Sequence, residues 1–115
     1  MLKYILMIFL WTLIGLGCGD SGDDNANLAS EIIDPASGDP AMGQALFLAP
    51  SNNCFFCHGN AADGVGGSQN VNITNADAVS IQAAVRTGPG VMEAFSQSQI
   101  STEDLNDIIA WLLTL

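Results

Sequence analysis

Residues 54–58 read Cys-Phe-Phe-Cys-His, and no other stretch constrains the chain as strongly. Several chemistries use paired thiols, and most fit poorly here. A structural zinc site wants four ligands, and the adjacent Cys57 and His58 cannot easily reach one tetrahedral ion. No further Cys or His lies in residues 40–115 to complete such a site. A thioredoxin-like dithiol needs a βαβ context that the sequence lacks. A disulfide across the two cysteines leaves the histidine unexplained. One chemistry uses all three side chains: C-x-x-C-H is the attachment signature of c-type haem. Two thiols about one helical turn apart can form thioethers to the two vinyl groups on one porphyrin edge. The histidine after the second thiol then points beneath the ring. One covalent haem c is therefore expected on Cys54 and Cys57, with His58 as proximal iron ligand.

The apolar residues are spread unevenly. Met1 to Gly17 read as an export signal: Lys3 supplies the positive start, and Tyr4 to Leu16 form an almost unbroken apolar run. That run is 13 residues, against the ~20 that a spanning helix needs. The tail Gly15-Leu16-Gly17-Cys18 resembles the bacterial lipoprotein box, in which the cysteine is lipidated and becomes the mature N-terminus. Gly15 stands where that family prefers Leu. Lipidation of Cys18, ordinary signal cleavage and a retained anchor are the three readings. Each places the protein outside the cytoplasm, in a periplasm or on the outer face of the cytoplasmic membrane, and lipidation would anchor it there. With a lipid on Cys18 and thioethers on Cys54 and Cys57, all three cysteines are used.

Charge excludes other roles. Twelve Asp and Glu stand against two Lys and Arg, which cannot neutralise a run of phosphates, so nucleic-acid binding is not expected. Residues 18–39 combine Asp20, Asp23, Asp24, Glu31, Asp34 and Asp39 with Gly, Ser, Asn, Ala and Pro. That composition predicts an acidic flexible tether. The folded domain is then 40–115, or 76 residues. A chain that short buries only about 60% of its unfolded surface, so a cofactor is expected to supply part of its core.

Three helices are predicted, and no alternating strand. The first has Asp39 as N-cap and Pro40 at the first helical position, and ends near Leu48. The second opens at Thr74 or Asn75 and ends at Gly88, with Ala78, Ile81 and Val85 on one apolar face. The third starts at Ser101, where Ser101 and Asp104 form a capping-box-like pair, and carries Leu105, Ile108, Ile109 and Leu112. Between the first two lies the Gly/Asn-rich segment Gly59 to Asn72, too long for a casual connection unless it wraps around something.

The order along residues 40–115 is a Gly/aromatic helix, C-x-x-C-H, a loop, a helix, Gly88-Pro89-Gly90, Met92-x-x-Phe95 and a terminal amphipathic helix with Trp111. It resembles class I cytochrome c. The resemblance implies an all-α small cytochrome c fold, three main helices and loops wrapped around one haem. It further implies Met92 as distal iron ligand, and Gly43 and Phe47 where the first helix crosses the last, with Trp111 as aromatic partner. The family usually has Pro after this methionine, where Glu93 stands here. The other methionine of the domain, Met42, has core packing as its ordinary reading.

Phe55, Phe56, Ile81, Val85 and Phe95 are candidates for the apolar haem wall. Arg86, the domain's one full positive charge, is expected to pair a haem propionate or to complement the negative end of its own helix. His/Met ligation fills all six iron positions, which makes the expected function single-electron carriage in a bacterial envelope chain and not catalysis. Two alternatives stand beside it: a haem subunit of a larger oxidoreductase, and a ligand-binding haem domain if Met92 does not bind iron. Expected partners are the haem-attachment machinery and redox proteins with neutral, apolar or basic docking surfaces. Gly64-Val65-Gly66-Gly67 lacks the Lys of a phosphate loop, and Asn72-Ile73-Thr74 spells a glycosylation sequon by chance.

Overall fold

A computed structural model describes residues 31–115. The expected export signal, Lys3, Cys18 and the first part of the tether lie outside them. The described residues form four α-helices and a short 3-10 turn, with no strand among them. The helices are α1 (Pro40–Phe47), α2 (Cys54–His58), α3 (Ala78–Thr87) and α4 (Thr102–Leu112). None is long and apolar enough to cross a membrane.

Each longer helix begins where a side chain can replace the missing helical acceptor. Asp39 Oδ1 accepts from the amides of Ala41 and Met42 at 2.9 and 3.3 Å, and Pro40 occupies the first turn without wasting a donor. Ser101 Oγ accepts from Asp104 N at 3.0 Å, with Glu103 and Asp104 at the positive helix end. For α3 the cap is Asp77, not Thr74 or Asn75, and Asp77 Oδ1 accepts from Ser80 N at 2.9 Å. The expected earlier start fails because Asn72 Oδ1 already takes the amide and hydroxyl of Thr74, a turn that competes with the helix. Gly88 ends α3 in the left-handed region, at φ 62°, which glycine adopts without a Cβ penalty.

The main helix contact is α1 against α4. At the crossing sits Gly43, where a Cβ would overlap the carbonyl oxygen of Asp107, so only glycine lets the backbones approach this closely. Phe47 fills the space beside it, tilted at 53° to Trp111 with ring centroids 4.9 Å apart. The expected pairing of Gly43, Phe47 and Trp111 is therefore formed. Leu105, Ile108, Ile109 and Leu112 complete this side of the core, joined from α3 by Ile81 and Val85. Met42 takes no part in it and is 52% exposed.

The segment before α1 corrects an expectation. Residues 31–39 belong to the fold. Asp34 N donates to Asn106 Oδ1 at 2.9 Å and Asp39 N to Asp107 Oδ1 at 2.7 Å, so this strap is tied to α4 at two points. Ile33 packs against the core. The composition is that of a tether, yet α4 offers side-chain acceptors in register with the strap's amides, and ordering follows from those bonds.

Candidate functional site

Helix α2 is only five residues, and it consists of the motif itself. Asn53 enters it from a left-handed conformation, and Gly59 N donates to Phe55 O at 2.8 Å to close it. Cys54 and Cys57 are both free of disulfide bonding. Cys54 is partly buried against the core, and that burial pushes its thiol up to about 11. Among the described residues no three His, Cys, Asp or Glu side chains gather as a metal cluster.

His58 is oriented from outside its helix. Its Nδ1 lies 3.0 Å from the carbonyl oxygen of Val71. A carbonyl only accepts, so Nδ1 carries the proton and Nε2 keeps its lone pair, the arrangement that a metal-binding histidine requires. The Gly/Asn-rich loop supplies this carbonyl by curling back on the motif. Gly64 N donates to His58 O at 2.8 Å, Ser68 N to Phe56 O at 2.7 Å and Ile73 N to Ala62 O at 2.9 Å. The loop does wrap, and it wraps around the motif helix.

The candidate wall residues separate on inspection. Ile81 and Val85 lie inside the core, and Phe55, Met92 and Phe95 are partly buried against it. Phe56 is 56% exposed and outside the core. Met92 sits in a loop closed at its base, where Phe95 N donates to Val85 O at 2.7 Å and Met92 N to Pro89 O at 3.1 Å. Within that loop Glu93 is exposed.

Arg86 stands in the last turn of α3, and its guanidinium is engaged by a partner that lies before α1. Its Nε and Nη2 hold Glu31 Oε2 and Oε1 at 2.8 and 2.5 Å, and Nη1 donates to the carbonyls of Phe95 and Ile100 at 3.0 and 2.9 Å. The two side chains are 7% and 1% exposed. The physical reason is Glu31, a carboxylate carried in by the strap, which satisfies a planar guanidinium in two-point fashion. Sequence reasoning missed Glu31, and it missed Val71. A backbone carbonyl leaves no mark in a sequence. Glu31 did leave one: two isoleucines follow it directly, an apolar pair out of place in a free tether.

Residues 38–112 match the protein family described as cytochrome C oxidase, cbb3-type, subunit III. The chain belongs to that family of c-type cytochromes. No curated protein matches it. Membership brings a covalently bound c-type haem, and Cys54 and Cys57 fit the attachment motif of this cytochrome domain. The residues present fit the group: two cysteine sulfurs free of disulfide bonding flank one helical turn, and the next side chain is a histidine held through Nδ1. The all-helical architecture is that of a small cytochrome c fold, and the domain's role is electron transfer.

Proposed function

We propose that this cytochrome is a single-electron carrier whose iron is bound by His58 and Met92. The observation that carries the reading is the Val71 carbonyl on His58 Nδ1. It leaves Nε2 as the donor, strengthens its basicity and fixes the ring plane. Met92, partly buried against the core in a loop closed at its base, supplies the second ligand. A thioether is a soft donor and favours the ferrous state, which raises the reduction potential relative to two histidines. When bound, the haem supplies the one-electron Fe(III)/Fe(II) couple. The chain keeps water away with Phe55, Ile81, Val85 and Phe95, a setting that further favours the less charged ferrous iron.

The reading extends to place and partners. The export signal would deliver the chain to a bacterial envelope, and Cys18 would anchor it by a lipid, with the electron chain on the outer face of the cytoplasmic membrane or in a periplasm. The family description names an oxidase subunit, which favours one second reading: the same site working as the haem subunit of an oxidase complex.

Absorption spectra of the haem-loaded protein test the ligand set. A weak far-red band in the ferric form, from thioether–iron bonding, is the expected result. High-spin spectra with rapid carbon monoxide binding to the reduced form would overturn it. Mass spectrometry of the native N-terminus tests the lipid on Cys18.

A further inference from the structure

The buried pair of Glu31 and Arg86 has no part in the haem chemistry, and burial alone makes it an expensive way to gain stability. Desolvating two charges costs several kcal/mol, so against an apolar replacement such a pair gains little net stability, whereas removing one partner strands the other charge and costs about 3–5 kcal/mol. This pair is fully satisfied. Glu31 Oε1 also accepts from Thr102 Oγ1 at 2.9 Å and Oε2 from Gln82 Nε2 at 3.2 Å, and Gln82 Nε2 reaches the Glu31 carbonyl at 3.1 Å. One carboxylate therefore joins the strap to α3 and to the first turn of α4.

What the clasp faces decides its meaning. The remaining donor of Arg86 holds the carbonyls of Phe95 and Ile100, and these lie along the segment between α3 and α4 that carries Met92. Phe95 is held twice, through its oxygen by Arg86 and through its amide by Val85. Two residues separate that anchor from Met92. A loop closed by two bonds at one point and by a third at Ile100 has little freedom to move its methionine. Glu31 in turn fixes the guanidinium, because both of its oxygens must be met for Nη1 to face the two carbonyls.

From this geometry we infer that Glu31, acting through Arg86, is a positioning residue for Met92. The strap clasps the distal loop and keeps the thioether at the haem. The inference rests on Met92 being the distal ligand. Glu31 lies before the matched residues 38–112, so this chain's own N-terminal segment supplies the control.

Imidazole, which competes for iron when the methionine leaves, is the probe. In the haem-loaded ferric protein, Glu31→Gln should bind imidazole about tenfold more tightly than wild type, the scale of one lost charge-assisted hydrogen bond. The far-red band should weaken in step, and amide exchange at Phe95 should quicken. Thr102→Val, which spares the ion pair, should show the same changes at smaller amplitude and serves if Glu31→Gln folds poorly. Asp39→Ala removes the side-chain cap on the amides of Ala41 and Met42 and lowers stability while leaving every bond of the Glu31 and Arg86 side chains in place. It should leave imidazole affinity unchanged. Equal affinity in wild type and both clasp variants, with the far-red band present in all, would overturn the positioning role alone. A matching rise in Asp39→Ala would overturn it too, by showing a global effect. A wild-type protein without the band would overturn the ligand reading, and the inference with it.

Discussion

Two single residues carry opposite lessons about tolerance. Gly43 stands where α1 meets α4, and a methyl there would enter the carbonyl oxygen of Asp107. Backbone cannot rotate away as a side chain can, so Gly43→Ala should cost at least about 3 kcal/mol. In a domain this small that is a fall in Tm on the order of 12–24 °C, read by thermal melting of the haem-loaded protein. A fall of only a degree or two would mean that the crossing is loose. Glu93 is the reverse case. Its carboxylate follows the proposed distal ligand, and a negative charge there stabilises Fe(III) over Fe(II) and lowers the midpoint potential. Glu93→Gln should raise the midpoint potential. Because the side chain is exposed, water screens the effect to about 1 kcal/mol or less, so the rise should be below about 40 mV. An unchanged or lower midpoint at neutral pH would remove Glu93 from the account.

Among the elements, the strap is the one that the sequence concealed, and the reason is physical. Helix caps are local: Asp39 with Pro40, Ser101 with Asp104 and Gly88 each act within a few residues, so all three were legible. The C-x-x-C-H spacing is equally local. The bond from Arg86 to Glu31 joins residues 55 positions apart, and no periodicity records such a meeting. The start of α3 was misplaced for a related reason, because two Asx-type side chains, Asn72 and Asp77, compete to end the loop and only Asp77 caps the helix. The strap has a signature in acid. Arg86 beside Glu31, aided by Gln82 and Thr102 against the cost of burial, lowers its carboxyl from 4.5 to about 2. A lowered folded value means that the stabilisation is whole above about pH 4.5 and is lost as pH falls towards about 2. Wild type should therefore exceed Glu31→Gln by about 3 kcal/mol near neutrality, and the gap should close across that window. Asp77, whose carboxyl is also lowered by its bonds to Ser80, is common to both proteins and cancels. Urea midpoints at about pH 6 and about pH 3 measure the gap; a constant gap would show that the pair is not ionised as drawn.

At the scale of the whole molecule, the clasp changes the electrostatic face that a redox partner meets. From Glu31 onward the chain has nine acidic residues and one arginine, and that arginine is buried with one of the nine. Eight carboxylates remain for the surface of the described residues, with no lysine or second arginine to offset them. Acidic charge thus belongs to the domain itself as well as to the tether. Encounter between charged proteins is steered by the summed field, and steering is screened over about 8–10 Å at ordinary ionic strength. A basic partner protein should accept electrons quickly at low salt, and raising the salt to a few hundred millimolar should slow the bimolecular rate by roughly tenfold or more. An acidic partner should behave in the opposite sense, slow at first and faster as salt screens the repulsion. Stopped-flow electron transfer to one partner of each sign, across the same salt series, separates the two. Transfer to the acidic partner that slowed strongly with salt would mean that docking does not follow this field.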